Sequence, residues 1–138
     1  MSKILVVEDD HDLNKAYCLI LKHAGHEVVA AFDGKEALEK LKGFEPELIL
    51  LDLLMPVMGG LEFLQQWNTP KKNNHKDVKV LIFTNMENSP EVAEAYKLGA
   101  HRCIIKSWTA PHNLALVVSE SLQPEAESAK TKTKTKAK

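Results

Sequence analysis

Along the first 122 residues, short apolar runs alternate with longer stretches in which apolar residues return every three or four positions. Lys3 to Val7 (KILVV) is a continuous aliphatic run too short for a helix. After it, Leu13, Ala16, Tyr17, Ile20, Leu21 and Ala24 recur at helical spacing up to Gly25. The alternation then repeats. VVAAF (28–32) reads as a strand, and Asp33-Gly34-Lys35-Glu36 as a capping-box start to a helix carrying Ala37, Leu38 and Leu41. LILLD (48–52) predicts a third strand, and Gly59-Gly60 opens a helix through Leu61, Leu64 and Trp67. TPKKNNHKD (69–77) is a polar connector, and VKVLIFT (78–84) a fourth strand. Ser89-Pro90 starts the next helix with an N-cap and a first-turn proline, and Gly99 ends it. CII (103–105) is a brief fifth strand, and Thr109-Ala110-Pro111 leads into a last helix through Leu114, Val117 and Val118.

Five strands alternating with five helices predict an α/β fold. Because the strands are apolar throughout rather than at every second residue, the sheet is expected to be parallel and covered on both faces. Ligand sites in such sheets lie beyond the carboxyl ends of the strands. From Gln123 on, the chain has no aromatic residue and no aliphatic one larger than alanine, so residues 1–122 read as the folded unit and 123–138 as a disordered Lys/Thr-rich tail with no effector domain behind it.

Composition narrows the class. Hydrophobic residues make up 44% and charged residues 27% of the 138, the balance of a soluble globular domain. No apolar run approaches the roughly 20 residues of a membrane span, and the acidic turn of MSKILVVEDD is unlike a secretory signal, so a cytoplasmic location is expected. Cys18 and Cys103 have no C-x-x-C spacing and read as reduced, packed thiols. Six scattered histidines form no helical i, i+4 pair. The net charge of −1 is uneven: five lysines against Glu125 and Glu127 make the tail +3 and leave −4 on the rest. With no aromatic or folded recognition element beside it, that tail reads as solubilising rather than as a nucleic-acid arm.

The chemistry gathers where the strands stop. Past their ends lie Glu8 and Asp9, then Asp52, Thr84 and Lys106. Singly, each has a bland reading: acids after a strand cap the following helix, Thr84 is a strand residue, Lys106 is solvated. Side by side on one sheet edge, the carboxylates repel unless a cation intervenes. Oxygen ligands without His or Cys favour Mg²⁺, which binds one or two carboxylates and keeps waters for a phosphate. Asp52, the one charge in LILLDLLMP, is then a candidate nucleophile for phosphoryl transfer, with lysine and hydroxyl donors nearby.

Glu8-Asp9-Asp10 after the first strand, D-L-L-M-P-V-M-G-G from Asp52 to Gly60, Thr84 closing the fourth strand and Lys106 closing the fifth together resemble the receiver domain of two-component response regulators, over about Lys3 to Leu122. The resemblance is to single-domain, chemotaxis-regulator-like members. It implies a flavodoxin-like (βα)5 doubly wound sheet in the order 2-1-3-4-5, with the first and third strands adjacent. It also implies that Asp52 accepts a phosphoryl group from a sensor histidine kinase or phosphotransfer protein and that phosphorylation switches binding to a downstream protein. Asp9, Asp52 and the backbone carbonyl of Leu54 would bind Mg²⁺ directly, and Glu8 largely through water. Thr84 and Lys106 would contact the phosphoryl oxygens. The chain would be a signalling module with limited self-phosphorylation and self-dephosphorylation chemistry, monomeric or weakly dimeric, and not a membrane protein.

The sequence departs from the family pattern in three places. Ser107 stands where a proline in a cis peptide is usual; a cis bond before serine costs about 3–4 kcal/mol, so the loop either bears that cost or takes a trans path. Cys103 replaces a Tyr or Phe whose ring turns inward on activation, which shifts signalling to the loops after Thr84 and Lys106, with Trp108 as an aromatic contributor. Leu54, Asn85 and Met86 flank the acceptor, and their bulk predicts slow hydrolysis. Two other classes compete. An aspartate-nucleophile phosphohydrolase resembling the haloacid-dehalogenase group would carry an acid where Leu54 stands, and a flavin or nucleotide binder would need a Gly-rich phosphate loop where Glu8-Asp9-Asp10-His11-Asp12 stands.

Overall fold

The computed structural model describes residues 2–53, 55, 58–67, 78–85, 89–106 and 113–122. Its elements alternate strictly: β1 Lys3–Val7, α1 His11–His23, β2 Glu27–Ala31, α2 Gly34–Lys40, β3 Leu48–Leu51, α3 Gly60–Trp67, β4 Lys79–Thr84, α4 Pro90–Lys97, β5 Arg102–Ile105 and α5 Leu114–Ser121. All five strands are parallel, in the order β2-β1-β3-β4-β5. This is the expected doubly wound, flavodoxin-like sheet.

The unbroken apolar runs have the predicted cause. Every residue of β3, and all of β1 after Lys3, is buried, because helices cover both faces of the central strands. Alternate residues feed two separate cores. Leu5, Val7, Ile49, Leu51, Val80 and Ile82 pack with Phe63, Leu64 and Trp67 of α3 and Val92 and Ala95 of α4. Ile4, Val6, Leu48, Leu50, Leu81 and Phe83 pack with Tyr17 and Leu21 of α1 and Leu114 and Val118 of α5.

The helix boundaries follow their caps. Asp10 caps α1, accepting from the Leu13 N–H at 3.1 Å, and Ser89 caps α4 from Val92. Gly25 (φ 97°) and Gly99 (φ 110°) take the left-handed conformation that lets the chain turn away after α1 and α4. At α2, Asp33 accepts from Glu36 N–H at 2.8 Å, while the Glu36 carboxylate reaches back to the Phe32 N–H at 2.8 Å. That second bond explains a small correction: the second strand spans Glu27–Ala31 rather than 28–32, because the Phe32 amide is committed to the helix cap. The connector 69–77, the turn Thr109-Ala110-Pro111 and the tail 123–138 lie outside the described residues.

Candidate functional site

The register assembles the edge. Val7 of β1 lies beside Leu51 of β3, so Glu8 and Asp9 continue next to Asp52. The Asp52 N–H still donates to the Val7 carbonyl at 3.0 Å, and the Glu8 N–H to Ala31 at 3.1 Å. On the other side Thr84 pairs with Ile105, the residue before Lys106. Carboxylate oxygens of Glu8, Asp9 and Asp52 all lie within 4.8 Å of one another.

Lys106 draws this cluster together. Its Nζ donates to Glu8 Oε1 at 2.6 Å and to Asp52 Oδ2 at 3.2 Å. Two strands, β3 and β4, separate β5 from β1, so at about 4.8 Å per strand the two backbones are about 14 Å apart and both long side chains lean over the sheet edge to meet. The lysine side chain is only 14% exposed, which removes the solvated reading. Asp52 is itself buried, 7% exposed, so it is not the open strand end its position in LILLDLLMP suggests; charge pairing rather than water compensates it.

Glu8 is also buried, 3% exposed. Besides Lys106, its carboxylate accepts from the Asp10 N–H at 3.1 Å, which fixes it within the protein. Burial pushes the Glu8 carboxyl above the usual range, against the pull of the Lys106 hydrogen bond. For Lys106, burial pulls the ammonium down, but the Glu8 hydrogen bond and the Asp52 and Glu8 charges outweigh it and hold the group above its ordinary value. The site is therefore a cation locked among acids. Thr84, 1% exposed, closes the β4 side.

Glu8, Asp9, Asp52, Thr84 and Lys106 thus share one edge. Asp10, the third acid of the run, does not join the cluster and serves as the helix cap. Asn85 is described and exposed. The Leu54 carbonyl, Met86, the Lys106–Ser107 bond and Trp108 lie outside the described residues. One residue escapes the sequence reading: Asn14, 1% exposed in α1, donates through Nδ2 to the Glu8 and Ala31 carbonyls, both at 3.0 Å, and accepts from Cys18 Sγ at 3.3 Å. A polar residue at i−3 and i−7 from buried Tyr17 and Leu21 was its signal, since it places Asn14 on the helix's inward face.

Cys103 is half-buried against the core beneath α3 and α4, as a small hydrophobe would be. Tyr96 of α4 lies near enough to Cys103 for that residue to act on its phenol. Burial pushes the thiol up to about 11 from an ordinary 9.0. The folded chain thus keeps this proton where the unfolded chain releases it; the associated stabilisation is complete below pH 9.0 and is lost as pH rises through about 11. Peptide-resolved iodoacetamide labelling of the native protein should leave Cys103 slow at pH 8 and accelerate with a midpoint near 11. A native midpoint equal to that of the urea-unfolded chain would contradict the burial argument.

The donor set fits a hard divalent cation. It offers carboxylate oxygens from three residues within 4.8 Å of one another, with Lys106 bound to one oxygen each of Glu8 and Asp52.

Comparison with known proteins agrees with this geometry. The model of the response regulator receiver domain matches residues 4–118. The regulator of RpoS from Escherichia coli K12 is 32% identical over 122 residues, covering 88% of this chain and 35% of that protein. The response regulator ArlR of Staphylococcus saprophyticus is 32% identical over 117 residues, covering 85% and 51%. This chain therefore spans about a third to a half of these curated relatives. Among solved structures, the chemotaxis response regulator CheY4 of Vibrio cholerae superposes with a TM-score of 0.77 at 32% identity, covering 88% of this chain and 98% of that one. A CheY-like receiver domain protein from Methanospirillum hungatei gives 0.79 at 25% identity, covering 94% and 98%. With the family model matching residues 4–118 and the fold shared with these receiver domains, the chain belongs to the response regulator receiver domain family, the signalling modules of two-component systems.

Proposed function

We propose that this chain is a Mg²⁺-dependent receiver that takes a phosphoryl group onto Asp52 from a phosphohistidine of a sensor kinase or phosphotransfer protein, and that the modification switches its binding to a downstream protein. The observation that carries this reading is the Lys106 ammonium bridging buried Glu8 and Asp52 beside Asp9. In the transfer an Asp52 carboxylate oxygen bonds to phosphorus, the P–N bond breaks, and its electron pair stays on the histidine ring. Asp9, Asp52 and the Leu54 carbonyl would hold Mg²⁺ directly, with Glu8 behind them, and the ion when bound neutralises charge on the phosphoryl oxygens. Lys106 exchanges its Asp52 contact for a phosphoryl oxygen, and Thr84 donates its hydroxyl to another. Glu8 keeps Lys106 aimed while that exchange occurs.

We assign the receiver to residues 1–122 and treat 123–138 as a solvated tail. No described helix is long and apolar enough to cross a membrane, and a cytoplasmic site of action, as a monomer or weak dimer, accords with that. Leu54 supplies no acid two residues past Asp52, which supports limited self-hydrolysis over a dedicated phosphohydrolase.

The test is labelling by a small phosphodonor such as acetyl phosphate. Wild-type protein should label with Mg²⁺ and not with EDTA, and Asp52→Asn should not label in either condition. Equal labelling of Asp52→Asn would move the acceptor elsewhere and overturn the assignment.

A further inference from the structure

A second concavity lies on the outer flank of α1, away from the strand ends. The groove, of about 360 Å³, runs between α1 and β2, a volume within the range of small-molecule sites. His11, Lys15, Cys18 and Lys22 line one wall, and their i, i+4, i+7, i+11 spacing places them on one helix stripe. Ala30 and Phe32 form the opposite apolar side.

The two ends of the groove differ in chemistry. At one end His11 and Phe32 already stack, with ring centroids 4.1 Å apart and planes 15° from parallel. At the other is Lys22, three turns or about 16 Å along the axis from His11 at 1.5 Å per residue. Its charge is near enough to act on the Cys18 thiol one turn back along the helix. Lys15 and Lys22 have no ion-pair partner among the described residues. Asp12 adds one acceptor beside the ring pair.

We infer that this groove binds an elongated ligand with a flat ring at one end and an anionic group at the other, the chemical class of a nucleoside monophosphate. The ring extends the His11–Phe32 stack, Asp12 accepts from an amino or hydroxyl group, and Lys15 and Lys22 hold the phosphate over the apolar floor of Ala30 and Cys18. A bare aromatic acid would leave Asp12 without a donor, and free phosphate would leave the floor unused. Asn14 connects the groove to the acidic edge, since it lines the wall and also bonds the Glu8 carbonyl.

The probe is AMP, titrated into full-length ¹⁵N-labelled protein in EDTA so that no metal can bring the nucleotide to the acidic cluster. Saturable binding with a Kd of about 1 mM or tighter is expected. Amide shifts should centre on Asn14, Cys18, Ala30 and Phe32. Lys15→Glu combined with Lys22→Glu, at two exposed positions that leave the core intact, should weaken binding at least about tenfold. Adenosine alone and phosphate alone should each bind more weakly than AMP, whereas Asp52→Asn should bind it as the wild type does. The proposal fails if AMP does not saturate by about 10 mM, if the double lysine variant binds equally, or if the shifts centre on Glu8, Asp9 and Asp52. It stands or falls independently of phosphorylation, which the Asp52→Asn arm removes.

Discussion

Lys106→Met should cost about 3–5 kcal/mol of stability in EDTA, because it removes the cation from a buried pair and leaves Glu8 and Asp52 facing Asp9 uncompensated. The sign then depends on metal. With the ammonium gone, a divalent cation no longer competes with Lys106 for Glu8 and Asp52 oxygens, so Mg²⁺ should bind more tightly to the variant than to the wild type. A Mg²⁺ concentration a hundredfold above Kd returns about 2.7 kcal/mol, enough to restore much of the loss. Asp52→Asn should behave oppositely. It deletes one of the mutually repelling charges while Lys106 keeps Glu8, so stability in EDTA should not fall and its Mg²⁺ response should shrink. Urea unfolding of the variants with and without Mg²⁺ measures both effects, and exposed Lys97→Met supplies the comparison for simply losing a lysine. If Lys106→Met were no less stable than Lys97→Met, the lysine would not be what holds the edge together. Phosphoryl labelling by Lys106→Met should also slow by about a hundredfold, the usual scale for losing one prepositioned donor.

The sequence was readable where a residue's character depends on near neighbours. Continuous apolar runs, Asp33 with Glu36, and Ser89 with Pro90 each declare a local structure, and each forms it; Phe32 leaves its expected strand because a capping carboxylate four residues on claims its amide, and Asp52 and Val78 fall just outside β3 and β4. The clustering of strand ends was also legible, since parallel alternation leaves those ends one edge to share. What stayed hidden required side-chain reach. Nothing in the spacing between Glu8 and Lys106 says that the two meet across two intervening strands, or that Asp52 is buried rather than open. The run Glu8-Asp9-Asp10 likewise divides by direction. Two members turn to the cluster and the third turns to cap α1, a distinction composition cannot draw. For Asn14 the helical spacing marks an inward-facing polar residue but not its partners, two backbone carbonyls and the Cys18 thiol.

Gly60→Ala should damage the site through the backbone. Gly60 is the first residue of α3, and a Cβ there would lie 2.7 Å from the Asp52 carbonyl oxygen and 2.8 Å from Leu53 Cα. Neither atom is the free end of a side chain, so the methyl group can be accommodated only by moving the strand end that carries the acceptor, or by tilting α3 away from its core. The Gly60 N–H also donates to the Leu53 carbonyl at 3.0 Å, which ties the helix start to the same two residues. Overpacking of this kind costs about 1–3 kcal/mol, and displacement of Asp52 by even a fraction of an ångström should separate it from Lys106 and slow labelling by about tenfold or more. Two neighbouring changes set the scale. Gly59→Ala meets only the Leu53 carbonyl at 3.2 Å and the Met55 carbonyl at 3.8 Å, so its effect should be smaller. Gly43→Ala meets nothing within 4 Å and should be neutral or stabilising by about 0.4–1 kcal/mol, because it restricts the unfolded chain. Unfolding midpoints and acetyl phosphate labelling of the three variants should therefore rank Gly60 worst, Gly59 next and Gly43 unharmed. Gly60→Ala with both stability and labelling equal to Gly43→Ala would show that the β3–α3 junction yields freely and does not position Asp52.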